Sequence, residues 1–254
     1  AWFSLLGPLV VGVAAADRVT PDLAILLVAA LAAFLARQPV TLLAKVASGR
    51  RGQGDLKPAL FWLGVYSAVG LAAAAGLVWR GHAHLLWLAV PGLPIFAYFL
   101  WLVTRKEERG QMALEMAGAS VLALTAPAAY WTCGGAGDRV AWTLYALMVL
   151  HIAASIAFTY WRLRMRCLKQ PPTWRERSRT AGPALAFHGA NLTLAAVGAA
   201  LGGVPWLVPV AFVLPLLDGI EGVWRPPVGV RPSRIGIRQL IVSVAVVLLV
   251  AVAY

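Results

Sequence analysis

Residues Ala59–Trp79 read ALFWLGVYSAVGLAAAAGLVW, which is 21 residues without one charged side chain. A helix needs roughly 20 mostly apolar residues to cross the hydrocarbon core of a bilayer, so this stretch predicts a transmembrane helix. Eight further stretches approach or meet the same requirement: Ala1–Ala16, Asp22–Ala36, Leu85–Val103, Met112–Tyr130, Val140–Tyr160, Pro183–Gly202, Val204–Ile220 and Ile237–Tyr254. We therefore predict an all-α fold, a polytopic transmembrane bundle of about nine helices that forms a single domain over residues 1–254.

The composition of the whole chain supports a membrane protein. Hydrophobic residues make up 61% of the 254 residues and charged residues 13%, and the mean hydropathy is +0.77. Soluble domains are about 25% charged, so this composition excludes a soluble enzyme, a disordered chain and a disulfide scaffold. The net charge of +12 does not indicate nucleic acid as a partner, because the basic residues are segregated by loop.

Basic residues are concentrated in the loops at one end of the predicted helices. The loops after the second, fourth, sixth and eighth helices hold 19 of the 22 Lys and Arg residues, whereas the opposite loops hold Arg18, Arg80 and Arg139. An excess of Lys and Arg marks the cytoplasmic side of a membrane protein. The sequence therefore predicts an N-terminus inside and a C-terminus outside, which requires an odd number of helices.

Several prolines lie inside the predicted helices. They are Pro91 and Pro94 in the fourth, Pro127 in the fifth, and Pro209 and Pro215 in the eighth. We expect plain kinks at these positions; the alternative is broken helices of the kind that form transporter sites. Only residues 202–205, Gly-Gly-Val-Pro, separate the seventh helix from the eighth, which predicts a tight helical hairpin, or alternatively one broken helix.

Two of the cytoplasmic loops, residues 37–57 and 161–179, are predicted to be long and strongly basic. In the second loop, Arg162, Arg166 and Lys169 follow i, i+4, i+7 spacing and would share one helical face. Together with Arg37 of the first loop, this face suits phosphate or anionic lipid headgroups. These four residues are therefore the candidate headgroup-binding residues. The alternative is that they enforce topology and contact headgroups without specificity.

Polar residues inside the predicted helices are costly in a bilayer and are functional candidates for that reason. The fifth helix carries Glu115, the sixth His151, and the seventh His188 and Asn191. We expect an intramembrane cluster that lines a cavity in the cytoplasmic half; the alternative is hydrogen bonding that only joins helices. Haem or chlorophyll ligation by His151 or His188 is disfavoured because nothing else indicates a pigment. No cofactor is predicted, and a lipid or a quinone would suit the cavity.

Short motifs at both ends of the chain resemble one family. These are Ala1-Trp2 followed by a helix with Gly7-Pro8, the sequence Ala36-Arg37-Gln38-Pro39, and the terminal Arg234-Ile235-Gly236-Ile237-Arg238. On these motifs the chain resembles, from end to end, the YwiC-like family of bacterial integral membrane proteins. The resemblance implies a location in the bacterial cytoplasmic (inner) membrane and carries no mechanism. In that family the chain starts a few residues earlier with His-Gly, so we expect residues upstream of Ala1 to be missing.

A more distant resemblance is to the UbiA-type prenyltransferase scaffold. Those enzymes have nine helices, an inside N-terminus and active-site loops after helices 2 and 6, where paired Asp-rich motifs hold the Mg²⁺ that neutralises a diphosphate. This chain has Asp55 alone in the first of these loops and Glu176 alone in the second. Metal-dependent prenyl transfer is therefore not expected, and no metal site is predicted.

Three classes of function remain open. The absence of catalytic motifs favours a non-catalytic protein, either an accessory subunit of a membrane complex or a bundle that binds lipid or quinone. One alternative is an enzyme that acts on an isoprenoid or phosphorylated lipid, with arginines in place of the metal. The other is a transporter whose pathway includes Glu115, His188 and the proline-broken helices. Membrane lipids and other subunits of such a complex are the expected partners, and whether the protein is an enzyme stays open.

Overall fold

The structure, a computed structural model, describes residues 2–108 and 110–254, and most of these residues are helical. Ten α-helices follow one another: α1 (Trp2–Ala15), α2 (Pro21–Ala47), α3 (Leu56–Trp79), α4 (Gly92–Arg105), α5 (Met112–Ala123), α6 (Thr125–Thr132), α7 (Asp138–Arg166), α8 (Trp174–Ala200), α9 (Leu207–Trp224) and α10 (Pro232–Ala253). Because α5 and α6 are the two halves of one rod, the described residues form nine helical rods and contain no strand. The predicted all-α architecture with about nine helices is confirmed.

Seven of the rods are long and apolar enough to cross a membrane. They are Pro21–Ala47, Gln53–Trp79, Ala83–Arg105, Met112–Thr132, Asp138–Arg166, Leu207–Trp224 and Pro232–Ala253. The first helix, α1, is a shorter apolar helix, and α8, which carries a charged first turn, is not one of the seven. The chain is therefore a multi-pass membrane protein.

The prediction of two long cytoplasmic loops is wrong, because helices extend into both of these segments. The second helix was expected to end at Ala36 but continues through Pro39 to Ala47. A proline removes one backbone donor from a helix, so Pro39 leaves the carbonyl of Leu35, four residues earlier, without its helical partner. The loss of this one bond does not end the helix.

The seventh helix begins earlier than the predicted Pro183, at Trp174. A capping box explains this start: the Glu176 backbone N–H donates to the Thr173 hydroxyl, and the Glu176 carboxylate accepts from the Thr173 N–H. Such reciprocal bonds satisfy donors that a helix start leaves free. Since α7 also continues to Arg166, the second loop is reduced to residues 167–173.

Prolines break two of the predicted helices and leave another continuous. A 3₁₀-helix over Ala83–Ala89 precedes α4, and the break falls at Pro91. The second break, at Leu124, separates α5 from α6, where Pro127 has no N–H to donate to the carbonyl of Ala123. In α9, Pro215 lies inside an uninterrupted helix. The hairpin between the seventh and eighth predicted helices is confirmed, with Gly202 (φ +69°) in the left-handed turn that glycine favours.

The helices form two regions with α1, α5 and α6 between them. We call α2, α3 and α4 the α2–α4 layer; α2 packs on both α3 and α4. The α7–α10 unit comprises α7, α8, α9 and α10, which pack on one another. The helices α2, α4, α7 and α9 all end at the same end of the bundle, called the basic end here because the predicted basic loops lie there. At this end are residues 48–57, 106–108, 167–173 and 225–231.

Candidate functional site

A buried ion pair joins α7 to α9 near the basic end. Arg162 is 2% exposed and Asp218 is 8% exposed. Nη2 of Arg162 lies 2.9 Å from Oδ2 of Asp218 and donates to the Asp218 backbone carbonyl at 3.0 Å. The guanidinium also lies over the Phe158 ring, 4.6 Å from its centroid. Arg162 is therefore engaged inside the α7–α10 unit and does not point towards headgroups.

Arg238 of α10 extends this ion pair into a network of four charges. Its Nε donates to Oδ1 of Asp218, and its guanidinium also pairs with Glu221, one turn further along α9. Two arginines and two carboxylates leave no net charge. Neutral, hydrogen-bonded sets of this kind are the form in which charges persist away from water.

Glycine in α9 lets this network form. A Cβ on Gly222 would lie 2.9 Å from Cζ of Phe158 and 3.1 Å from Nη2 of Arg162. A Cβ on Gly219 would lie 2.8 Å from a methyl carbon of Leu185 and 3.7 Å from the His188 ring. The two glycines thus create the space in which Phe158, Arg162 and α8 approach α9.

Two buried histidines lie deeper in the same unit. His151 of α7 is 1% exposed and His188 of α8 is 2% exposed. Both ring nitrogens of His151 and Nε2 of His188 are buried without a hydrogen-bond partner among the described residues. Asn191, one turn beyond His188, donates to the carbonyl of Leu150 at 2.7 Å. The structure therefore brings His151, His188 and Asn191 together across α7 and α8, as the intramembrane cluster requires.

Glu115 is the fourth residue of that expected cluster, and it lies elsewhere. It is exposed in the first turn of α5, beside Tyr160 of α7. The buried carboxylate of the α7–α10 unit is instead Asp218 of α9.

The four candidate headgroup residues do not form one cationic face. Arg37 lies over the Phe34 ring of its own helix, 5.2 Å from the centroid. On α7, Arg162 is buried and Nε of Arg166 donates to the Val230 carbonyl at 3.3 Å. Because α7 ends at Arg166, Lys169 lies beyond the helix and does not continue its face.

A groove between α2 and α3 brings cationic and apolar side chains together at the basic end. Its volume is about 400 Å³. Lys45 and Arg51 provide its positive charges, and Trp62 stacks on Tyr66 along its wall with 5.5 Å between the ring centroids. The other lining residues are Leu35, Gln38, Pro39, Thr41, Leu42, Pro58 and Ala59. The combination matches an amphipathic ligand whose headgroup is anionic.

An ion pair holds the end of α2 against the end of α4. Nη2 of Arg50 lies 2.9 Å from Oε1 of Glu108, and Nη1 donates to the Val103 carbonyl. Hydrogen bonding from the Arg50 guanidinium lowers the pKa of the Glu108 carboxyl. Arg50 therefore binds at the end of α4, whereas Lys45 and Arg51 line the groove.

Sequence reasoning missed a polar cluster at the opposite end of the bundle. Asp22, in the first turn of α2, pairs with Arg80, and its Oδ2 lies 2.9 Å from Nε2 of His82. The only sequence signal was an acidic residue at a helix start, where the helix dipole favours negative charge. Its partners lie about 60 residues further along the chain and join the start of α2 to the end of α3.

Comparisons with known proteins identify one family. A family model described as YwiC-like protein matches residues 1–130, which is half of the chain and includes the α2–α4 layer. No curated protein and no solved structure matches the chain.

Proposed function

Because the chain belongs to the YwiC-like protein family and is a multi-pass membrane protein, we propose that it is a non-catalytic lipid-binding bundle of the bacterial cytoplasmic membrane. The ligand is an amphipathic molecule with a phosphate headgroup, held in the groove between α2 and α3. The observation that carries this proposal is the placement of Lys45 and Arg51 at the basic end of a groove with an aromatic wall.

The two groove cations are available to a phosphate. Arg51 approaches Asp55 at 3.6 Å, and both side chains are exposed, so that ion pair contributes little. Glu108, a carboxylate on which Lys45 acts electrostatically, is already paired with Arg50. Charge-assisted hydrogen bonds to phosphate are among the stronger polar contacts, and juxtamembrane Lys and Arg attract anionic lipids.

The groove wall suits an acyl or isoprenoid chain. Trp62 and Tyr66 are one turn apart on α3 and stack nearly parallel, with 23° between the ring planes. Leu35 and Leu42 line the facing side on α2. By contrast, the cavity lined by Arg175, Glu176 and Arg179 has no apolar side chain, so it offers nothing to a lipid tail.

Binding without catalysis is the role that the lining residues support. Among the described residues, no carboxylate lines the groove, whereas metal-dependent prenyl transfer needs carboxylates that hold Mg²⁺. The arginine-for-metal alternative also loses support, because Arg162 is paired with Asp218 inside the α7–α10 unit. A lipid-binding bundle of this kind would serve as an accessory subunit in a larger membrane complex.

Co-purified lipid tests the proposal. The variant Lys45→Gln/Arg51→Gln removes the two groove charges, and Arg164→Gln/Arg234→Gln removes two charges from exposed positions outside the groove. Each protein is purified in a mild detergent, and bound lipid is quantified by native mass spectrometry. One charge-assisted hydrogen bond contributes about 1.5–3 kcal/mol. We therefore expect the amount of anionic lipid bound to the groove variant to fall by a factor of at least about ten.

The matched control decides between a site and a general surface charge effect. The control variant should retain as much anionic lipid as the unchanged protein. Equal losses in both variants would mean that the charges act only on the membrane surface. If a quinone co-purifies in equal amounts with the unchanged protein and with both variants, the assignment of a phosphate headgroup is wrong.

Orientation in the membrane is tested separately. We propose that the basic end faces the cytoplasm, in accord with the Lys and Arg distribution. Ser48 lies just after α2, and the exposed Ala136 lies between α6 and α7 at the opposite end. In a background without Cys133 and Cys167, an impermeant maleimide added to intact spheroplasts should label Ala136→Cys and not Ser48→Cys. Labelling of Ser48→Cys alone would reverse the orientation.

A further inference from the structure

One face of α7 changes from polar to apolar along its length. His151, Ser155, Phe158 and Arg162 follow helical spacing on this face, and Arg162 and His151 are about 16 Å apart along the axis. Beyond His151, towards the opposite end, the same face continues with Leu144 and Met148, both buried in the main apolar cluster. The polar part of the face therefore starts near the basic end and stops at His151.

Unsatisfied polar atoms are concentrated along this polar part. Six side-chain atoms are buried without a partner among the described residues; apart from the Tyr254 hydroxyl, they are Nη1 of Arg162, Nε2 of His188, Nδ1 and Nε2 of His151, and Oε1 of Gln239. Gln239 belongs to the same row, because its amide donates to the Ser155 hydroxyl at 2.9 Å. Phe158 contacts both Arg162 and His188, with 4.6 Å from the guanidinium carbon to the Phe158 ring centroid and 5.8 Å between the centroids of the Phe158 and His188 rings.

Buried polar atoms that lack protein partners are normally satisfied by water. Such a water makes about three hydrogen bonds and is part of the structure, whereas a buried group left unpaired is costly. The Arg162 guanidinium can only donate and the Gln239 carbonyl oxygen can only accept, while water does both. Water molecules can therefore link these atoms into one connected row.

We propose that the α7–α10 unit encloses a file of water molecules that runs from the Arg162–Asp218 pair to His151 and carries protons between the basic end and the two buried imidazoles. In this step a hydronium ion at the file gives its proton to a neutral imidazole nitrogen, which leaves water and an imidazolium. The proton returns by the same route. The proposal is independent of the lipid groove, since no residue is shared.

The file is closed beyond His151. Phe3 of α1 and Phe212 of α9 meet the His151 ring edge-on, each with 6.4 Å between ring centroids. Leu144, Met148 and Val246 fill the next layer and are buried. Among the residues that the structure describes, a proton that reaches His151 therefore meets an apolar layer towards the opposite end. The file binds protons and does not conduct them across the bundle.

The charged and titratable neighbours of the file are few. His188 faces it from α8, Asp218 and Glu221 from α9, and Arg238 from α10; Glu115 of α5 lies beside Tyr160. The helix α1 contributes Phe3 to the His151 site. Among these groups, only the two histidines ordinarily change charge between pH 5 and 8.

Water-edited solid-state NMR on the full chain in nanodiscs, labelled with ¹⁵N-histidine, tests the file. Single His→Phe variants assign His151 and His188, and the exposed His84 gives the signal expected from bulk water. We expect transfer from water protons to the ring nitrogens of both buried histidines, and ¹⁵N shifts of both that change between pH 8 and pH 4. A dry His151, with no transfer at any pH while His84 responds, would overturn the proposal.

A variant in the middle of the file tests its course. Ser155→Leu places a larger apolar side chain between Phe158 and His151 on this face, so water transfer should be lost at His151 and retained at His188. Ser155→Ala, which adds no bulk, should retain transfer at both. Unchanged transfer at His151 in Ser155→Leu would mean that water arrives by another route, and the proposed file would be wrong.

Discussion

The spans of the α2–α4 layer and those of α7, α9 and α10 in the α7–α10 unit have similar hydropathy and different burial. The apolar windows of α2, α3 and α4 are 11–17% buried, whereas those of α7 and α9 are 44% and 50% buried and that of α10 is 33% buried. The first region presents its side chains to lipid and carries its ion pairs at its two ends, Asp22 with Arg80 at one and Arg50 with Glu108 at the other. The second buries charges and histidines among packed helices. The difference shows that spans of similar hydropathy can serve as a lipid-facing surface or as a polar interior.

The largest effect is expected from the buried ion pair. Asp218→Ala leaves Arg162 buried without its counter-charge, and such a loss costs about 3–5 kcal/mol. The matched change in the α2–α4 layer is Asp55→Ala, which removes the exposed partner of Arg51 and should cost about 0–1 kcal/mol. Unfolding free energies in mixed detergent micelles compare the two. Losses of similar size would remove the distinction between the regions.

Glycine substitutions sharpen the same contrast. Gly222→Ala forces a methyl group against Phe158 and Arg162, and overpacking of this kind costs about 1–3 kcal/mol. Gly64→Ala in α3 meets no atom within 4 Å and should be neutral or stabilising by about 0.5–1 kcal/mol, since alanine favours a helix. Thermal unfolding of both variants provides the measurement. A destabilised Gly64→Ala protein would mean that α3 packs against a partner.

Low pH should weaken the Arg50–Glu108 contact between the ends of α2 and α4. The Arg50 guanidinium lowers the pKa of Glu108 in the folded protein. The ion pair therefore stabilises the contact between the ends of α2 and α4 at pH values above the pKa that Glu108 has in the unfolded protein. This stabilisation, about 1 kcal/mol or less, is lost as the pH falls from about 5 through the lower folded pKa. Glu108→Gln should therefore be less stable than the unchanged protein at pH 7 and equal to it in strong acid. A difference that grows on acidification would contradict this.

The smallest effect is expected at Arg37. Its guanidinium contacts the Phe34 ring, a type of contact that contributes about 0.5–1 kcal/mol at exposed sites. Arg37→Gln should therefore reduce stability slightly and leave the amount of co-purified anionic lipid unchanged. A lipid loss as large as that of Lys45→Gln/Arg51→Gln would extend the site along α2.

The sequence predicts the number of helices well because length and hydropathy determine a span. It cannot predict partners across the chain. The spacing of Arg162 and Arg166 indicates a shared helical face, but Asp218, which decides the role of Arg162, is 56 residues away. The extensions of α2 and α8 were missed because their charged residues resemble a loop, whereas α2 continues through Pro39 and the Thr173 capping box starts α8 before Pro183. His151 and His188 were found because polar residues in spans are rare.

Photo-crosslinking with an anionic phospholipid that carries a diazirine in its acyl chain tests the central claim, that the α2–α4 layer holds a lipid site, most directly. Full-length protein in nanodiscs is irradiated, and the adducts are mapped by peptide mass spectrometry. We expect adducts concentrated on residues 35–45 and 58–66. Their amount should be reduced in Lys45→Gln/Arg51→Gln and unchanged in Arg164→Gln/Arg234→Gln. Adducts spread evenly over all lipid-facing helices, or insensitive to the groove variant, would contradict it.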